Sequence, residues 1–318
     1  MSYLRIVGLA PLIFIASLAA AQSEAVSNIQ EQVNAAISSG TVGSERLLEP
    51  KPLGRFYAAR GWRAVWRRDQ VPTIIDAIKS VDADGLNPAD YHLAAIEDRS
   101  RGGTDGALLD AGEDILLTDA VAAVVDNVRY GKVHPSTLGH GWNTDPRDKM
   151  PPLESTLARV AEAPDVGRAI AAERPNHFIY QGLVGALAQL RDIDANGGWG
   201  RVTPGPDIRP GAVDERIPSV RARLTKSGEL GADATTDSSP RYDPTLVKAV
   251  KLFQARHRLP ETGVIGTKTV RAMNVTAAAR ADQVRANLER ARWVLNGLKG
   301  DFVLVNLPAF KAYYIEGG

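Results

Sequence analysis

A dense cluster of glycine and proline residues beyond the middle of the chain constrains its fold more than any other feature. The segment from 196 to 212 contains Gly197, Gly198, Gly200, Pro204, Gly205, Pro206, Pro210 and Gly211. Proline lacks a backbone donor and glycine favours turns, so a long helix or a central strand cannot run through this segment. We therefore predict separate structural regions on its two sides, with residues 196–212 as a linker.

Apolar residues recur at helical spacing through most of the region before this linker. One amphipathic face spans 74–81 and stops at Gly85, because glycine tolerates the left-handed conformation at a helix end. Wider apolar patterns predict a long helix over about 105–129 and another over about 176–192. Because no strand-like alternation interrupts these patterns, residues 44–195 are predicted to form one helical domain.

The start of the chain has the pattern of an export signal. Arg5 supplies positive charge, residues 6–18 are almost wholly apolar, and small residues precede a predicted cleavage after Ala21. An uncleaved membrane anchor is the alternative, but the apolar run is shorter than the roughly 20 residues of a spanning helix. We therefore predict a signal peptide over residues 1–21, followed by a loose polar leader over 22–43, although Val26, Ile29, Val33 and Ile37 recur in it at helical spacing.

Composition excludes several classes of protein. The chain has no cysteine, which excludes disulfides, thiolate metal sites and cysteine nucleophiles from its 318 residues. The 38 basic and 37 acidic residues nearly balance, so the whole chain offers no electrostatic attraction to nucleic acid. The five histidines show no spacing typical of zinc ligands. We therefore predict neither a metal site nor a cofactor.

Two pairs of residues could suggest sugar chemistry, and each has a simpler interpretation. Glu113 and Asp114 are adjacent carboxylates, which we expect to lie on a solvated helix face rather than to form a glycosidase acid–base pair. Trp62 and Trp66 are four residues apart, and aromatic side chains at that spacing are expected to pack in a core.

Three short helices are predicted after the linker, within residues 213–275. The first follows Pro218, the second spans 244–256 behind an aspartate N-cap, and the third runs over 267–273 with Thr267 as its cap. Gly263 and Gly266 bracket a tight turn between the second and third helices. Together these elements predict a small three-helix bundle.

The final residues change from a helical to a β pattern. A connecting helix is predicted over 277–299, followed by strands over 302–307 and 312–315. Two strands alone do not form a stable sheet in water, so we expect residues 300–318 to be the start of a larger domain and the chain to be a fragment. A small hairpin added to the preceding helix is the alternative.

Residues 216–274 resemble the small peptidoglycan-binding domain of bacterial wall hydrolases and transpeptidases. The matching features are Val220-Arg221-Ala222-Arg223-Leu224, Gly228, Tyr242-Asp243, Ala249-Val250-Lys251-Leu252-Phe253-Gln254, Leu259, Gly263-Val264-Ile265-Gly266 and Thr269. The family usually has Asp-Gly in the last turn, where this chain has Thr262 before Gly263. The resemblance implies that peptidoglycan, through its stem peptide or its glycan, is a partner.

The wider order of segments is similar to that of the large L,D-transpeptidases of Gram-negative bacteria. The similar segments are Phe56-Tyr57, Trp62, Trp66, Asp84-Gly85-Leu86, Pro88, Tyr91, Arg129-Tyr130-Gly131-Lys132-Val133, Pro135, Asn287-Leu288-Glu289-Arg290, Trp293 and residues 303–310. The resemblance implies a mainly α protein with a helical scaffold domain, a three-helix peptidoglycan-binding domain and the first strands of a truncated catalytic domain. It also implies a periplasmic location and, as further partners, other cell-wall enzymes.

Catalysis in that family uses a cysteine nucleophile paired with a histidine, and this chain has no cysteine. We therefore assign no catalytic residue and predict that the chain by itself is inactive. The predicted function is the peptidoglycan-binding and scaffold portion of a murein L,D-transpeptidase involved in cell-wall biogenesis. A stand-alone, non-catalytic peptidoglycan-binding protein is the alternative, and a metal-dependent hydrolase is a third hypothesis.

The predicted binding site lies at the tight turn of the small bundle. Gln254 near the end of the second helix and His257 just after it are close to the turn in the sequence, and the turn contributes Gly263, Ile265 and Gly266. These five residues are predicted to border a shallow groove for peptidoglycan.

Overall fold

The computed structural model describes residues 10–101, 108–139, 147, 151–231, 238–296, 298, 300–306 and 311–316. The described part is mainly α, with 12 α-helices and two small two-stranded sheets, which confirms the predicted fold class. The chain divides into two compact units. The first consists of Met1–Asn176 and Glu289–Gly297, and the second of His177–Leu288 and Leu298–Gly318.

Seven helices and one short hairpin make up most of the first unit. The helices are α1 (Ala10–Ser39), α2 (Pro50–Ala59), α3 (Val71–Ser80), α4 (Leu93–Arg99), α5 (Ala111–Tyr130), α6 (Leu153–Ala161) and α7 (Val166–Ala171). The hairpin pairs β1 (Thr41–Val42) with β2 (Glu45–Arg46) in antiparallel register. This hairpin was not predicted, because two-residue strands are too short to show alternation.

Helix α5 is the centre of the first unit. It contacts α1, α2, α3, α4, α6 and α7, and most of its side chains are buried, including the acidic Asp114, Asp119 and Asp126. The predicted start near 105 lies outside the described residues, and the helix begins only at Ala111. Asp110 sets that start, since its Oδ1 accepts a hydrogen bond from the Glu113 backbone N–H at 2.8 Å. Leu108, which lies within the predicted helix 105–129, is instead 63% exposed before the cap.

The predicted loose leader is wrong. Residues 22–39 continue α1, and Ile29, Val33 and Ala36 are buried in the core of the first unit. Their spacing places them on one face of the helix, where burial against the neighbouring helices compensates for ordering the segment. The predicted cleavage point at Ala21 lies within α1, and residues 1–9 are outside the described part. Among the described residues, each helix is too short or too polar to cross a membrane.

The predicted face over 74–81 is confirmed. Ile74, Ile78 and Val81 are fully buried, and Ile75 is nearly so. The chain then passes through a short 3₁₀ turn and leaves it at Gly85, whose φ of +75° is the left-handed conformation that glycine adopts without steric cost.

Five helices and a hairpin belong wholly or partly to the second unit. They are α8 (Phe178–Ala195), α9 (Ile217–Lys226), α10 (Pro244–Arg256), α11 (Thr267–Met273), α12 (Ala277–Leu295), β3 (Phe302–Asn306) and β4 (Lys311–Ile315). The unit's core contains Ile217, Val220, Leu224, Tyr242, Leu246, Val250, Phe253, Ile265, Val270 and Met273. Helix α10 has its predicted bounds, and Asp243 caps it by accepting from the Leu246 N–H at 2.9 Å. Gly266, not the predicted Thr267, is the N-cap of α11.

The segment predicted as a linker packs against the second unit's core. Trp199, Val202 and Ile208 are buried, and Asn274 holds Val202 by accepting from its N–H and donating to its C=O, both at 2.8 Å. The segment is therefore a packed connection rather than a free linker. Its glycines and prolines set the turns, and the apolar residues between them make the contacts with the core.

The predicted C-terminal strands are present as one antiparallel hairpin. Phe302 pairs with Ile315 and Asn306 with Lys311, while residues 307–310 are outside the described part. Val303 and Val305 are exposed on β3. The hairpin is thus formed with an open apolar surface.

Candidate functional site

Gln254 lies beneath the tight turn rather than beside a groove. Its side chain is 1% exposed and accepts a hydrogen bond from the Gly263 N–H at 2.9 Å. The same amide donates to the Val264 carbonyl at 2.9 Å and to the Thr269 hydroxyl at 3.1 Å. The turn is thereby fixed to α10 and α11, and the structure gives Gln254 a positioning role.

The other residues of the predicted turn are also held from inside the unit. Ile265 is fully buried and exchanges backbone hydrogen bonds with Ile208 at 3.0 and 3.3 Å. Gly263 has a φ of +71°, and Tyr242 donates its hydroxyl proton to the Gly263 carbonyl at 2.6 Å. A Cβ at Gly266 would lie 2.9 Å from Asp207, so a larger residue would not fit without a shift. These contacts make the turn rigid.

His257 is the predicted site residue that reaches a cavity. It ends α10, with its ring 4.1 Å from the Phe253 ring between centroids, and it is half-buried. Burial, together with the nearby positive charges of Arg280, Arg223 and Arg256, lowers its pKa from the ordinary 6.5 to about 4. The imidazole is therefore neutral at pH 7.

The cavity beside His257 is lined with arginines and apolar side chains. It has a volume of about 290 Å³ and lies among α8, α12 and the C-terminal ends of α9 and α10. Its cationic lining consists of Arg223, Arg256 and Arg280, and we call it the arginine cavity. Its apolar lining consists of Leu190, Ile193, Trp199 and Val284.

Arg223 is the most buried of these cations. Only 1% of it is exposed, its Nε donates to the Met273 carbonyl at 2.9 Å, and its guanidinium lies 3.7 Å from the centroid of the Trp199 ring. Burial lowers its pKa to about 10, so the group keeps its charge at pH 7. Its Nη1 is buried without a hydrogen-bond partner among the described residues.

Glu229 is the acidic residue of the cavity lining, and it is already engaged. Its carboxylate accepts from Arg256 Nη1 at 2.7 Å and from the Ser227 hydroxyl. Arg280 donates to Gln283 at 3.0 Å and to the Ala272 carbonyl at 3.4 Å. Its Nε is buried and, within the described part, has no acceptor. The arrangement is suited to holding an anion.

Sequence reasoning missed Arg223 and Arg280 as site residues. Arg223 follows Val220 by three positions and precedes Leu224, so it falls on the inward face of α9. A cation on an apolar face is the local signal that could have identified it, because arginine is seldom fully buried without a partner. The residues next to Arg280 on α12 are mostly alanine, which gives no clear sign of a buried face.

A second cavity of about 480 Å³ lies at the start of α11, beside Arg201 and Arg271. Asn274 lines it, but both ends of that side chain are used in binding Val202. Arg201 and Arg271 are exposed to solvent. This surface is therefore less specialised for a charged group than the arginine cavity.

Polar clusters in the first unit have structural partners. His92 is nearly buried, with its ring nitrogens 3.1 Å from Glu45 and 2.9 Å from Asp119. Asp119 also accepts the backbone N–H groups of Leu48 and Glu49, both at 2.8 Å. Among the described residues, potential ligands do not form a group of three or more that could hold a metal ion. His140 lies outside that part of the chain.

Comparison with known protein families gives two matches. Residues 214–273 match the peptidoglycan binding domain family. Residues 51–187 match the scaffold domain family. Their order fits an L,D-transpeptidase-like architecture, and a peptidoglycan-binding domain indicates cell-wall binding and an extracytoplasmic location. No curated protein matches the chain.

Protonation of His257 is expected to destabilise the second unit. Its pKa is about 4 in the folded chain and near 6.5 in an unfolded one, so its contribution to stability is complete above pH 6.5 and is lost as the pH falls towards 4. For a half-buried ring the loss is on the order of 1–2 kcal/mol after solvent screening. Denaturant unfolding at several pH values, compared with a His257→Gln variant, isolates this effect from the titration of carboxylates. If the free energy of unfolding depended on pH in the same way in both proteins, the predicted effect of His257 protonation would be refuted.

Proposed function

We propose that this chain binds peptidoglycan through its second unit and forms the scaffold and peptidoglycan-binding portion of an L,D-transpeptidase-like wall enzyme in the periplasm. The observation that carries the proposal is the family match over residues 214–273, which coincides with a well-packed bundle of three helices. The proposed domains are the scaffold over 44–195, whose last helix α8 belongs to the second unit, and the peptidoglycan-binding domain over 213–275. Residues 300–318 would then be the first strands of the catalytic domain.

The chain's own chemistry supports a binding role. With no cysteine it does not supply the thiol nucleophile that the L,D-transpeptidase resemblance implies. A single small domain binds a repeating polymer weakly, and several contacts on one wall raise the effective concentration of the protein there. The proposed role is therefore to hold a wall enzyme close to its polymeric substrate and, through the scaffold, close to partner enzymes.

Co-sedimentation with purified sacculi tests this function. The full chain is expected to pellet with sacculi in a saturable manner and to be displaced by soluble fragments of the same wall. A Lys248→Ala variant, altered at an exposed position of α10, is the matched control and should pellet like the unaltered chain. Pelleting no greater than that of the heat-unfolded chain or of an unrelated protein of similar charge would contradict the proposal.

A further inference from the structure

The arginine cavity carries more positive charge than its own residues neutralise. Resting on the proposed function, we propose that this cavity binds the carboxylate of a short peptide, so that stem peptides rather than glycan strands are the part of the wall it recognises. The proposal names the ligand class of the second unit. It depends on three observations: the charge, the unpartnered donors and the apolar lining.

The charge balance leaves room for an anion. Among the described residues of the lining, Arg223, Arg256 and Arg280 bring three positive charges and Glu229 brings one negative charge, which leaves two positive charges. His257 does not change this balance at pH 7, because its ring is neutral there. Like charges in a partly closed site repel one another more strongly than in water. An anion in the cavity relieves this repulsion.

Two donors in the lining lack acceptors among the described residues. They are Nη1 of Arg223 and Nε of Arg280, both buried. Buried polar groups in folded proteins almost always have a hydrogen-bond partner, so unpartnered N–H groups on two lining arginines leave hydrogen-bonding capacity that an acceptor from outside could use. Arginine donors match the two oxygens of a carboxylate in geometry and charge.

The rest of the lining favours a carboxylate that is next to a small apolar group. Leu190, Ile193 and Val284 provide aliphatic contacts, and Trp199 provides an aromatic wall. A sugar, with hydroxyls on all sides, would leave polar groups unpaired against these side chains. A phosphate dianion would match the charge of the lining but would make no use of its apolar side chains. The C-terminal residue of a stem peptide, a carboxylate beside a methyl group, satisfies both parts of the lining.

An NMR titration of the full chain tests the assignment through the Trp199 indole signal. The probes are N-acetyl-D-alanyl-D-alanine, its C-terminal amide, N-acetylglucosamine and inorganic phosphate. The acid is expected to bind at least about tenfold more tightly than the amide or phosphate, with no shift from the sugar. Arg280→Gln should lower the affinity for the acid by about tenfold or more. Arg209→Gln, the same change at an exposed arginine outside the cavity, should leave the affinity for the acid within about twofold of that of the unaltered chain.

Each contrary result has a defined meaning. If the unaltered chain bound the acid and the amide with equal affinity, the inference would be overturned. This comparison does not depend on whether the Arg280→Gln variant folds. Phosphate binding as tight as the acid would overturn it too, by showing a general anion site, and so would an Arg280→Gln variant that binds normally. If sacculi still capture the chain in any of these cases, only the carboxylate assignment falls. If capture also fails, the proposed function falls with it.

Discussion

Replacing Asp114 with alanine is expected to lower the free energy of unfolding of the first unit by about 3–5 kcal/mol. Asp114 is 0% exposed, and its carboxylate accepts from the Tyr57 hydroxyl at 2.5 Å and from the Val65 and Trp66 N–H groups at 2.8 Å each. Removing it leaves the Tyr57 hydroxyl and the backbone N–H groups of Val65 and Trp66 without that acceptor and opens a void beside α5. Hydrogen exchange of the α5 amides measures this loss locally, because those amides exchange through opening of the first unit.

Asp114→Asn is the matched control for this prediction. Asparagine keeps the volume and one carbonyl oxygen that can still accept from the two backbone N–H groups. It should therefore lose less than half of the stability that the alanine variant loses. A loss below about 1 kcal/mol for Asp114→Ala would show that the network contributes little.

Replacing Gln254 with alanine is expected to destabilise the second unit by about 2–4 kcal/mol. The change removes the acceptor for the Gly263 N–H and the donor for the Val264 carbonyl, both at 2.9 Å, and leaves a cavity under the turn. Denaturant unfolding followed by the Trp199 indole NMR signal or by the exchange of α10 amides measures the effect. Lys248→Ala on the exposed side of the same helix should change stability by no more than about 0.5 kcal/mol.

The same variant separates a positioning role for Gln254 from direct contact with ligand. If Gln254 only fixes the turn, the Gln254→Ala protein that remains folded at low temperature should still pellet with sacculi. Loss of sacculus binding with unchanged stability would instead show that the amide contacts peptidoglycan, as the sequence predicted.

Local patterns account for the parts of the fold that the sequence predicted well. The bounds of α10 depend on an aspartate cap, a proline in the first turn and an apolar period, all of which are visible within the segment. The end of the 74–81 face depends in the same way on Gly85. Each of these features acts through neighbours a few residues away, so no knowledge of tertiary contacts is needed.

Features that depend on distant partners could not be predicted in this way. Glu113 and Asp114 are adjacent acids that look alike in the sequence. The prediction that both lie on a solvated helix face was wrong for Asp114, because it is buried against partners from residues 57–66. Trp66 was predicted correctly as core, because its size favours burial wherever it lies. The N-terminal residues showed helical spacing without showing what would cover them, and α1 was therefore missed.

The candidate site also has a part that local sequence patterns predicted and a part that depends on distant contacts. The turn at 263–266 was located from its glycines, and His257 was identified as a nearby polar residue. The arginine cavity required α8 and α12 to meet the ends of α9 and α10, an arrangement that no single segment encodes. The sequence thus indicated the module and one edge of its cavity, while the charged lining emerged only from the packing.

The most direct test of peptidoglycan binding by the second unit is an amide NMR titration of the full chain with soluble disaccharide-peptide fragments of the wall. Chemical shift changes are expected to concentrate on signals from residues 177–288 and to saturate. The absence of saturable changes there, or changes confined to signals from residues 50–171 in the first unit, would contradict the account.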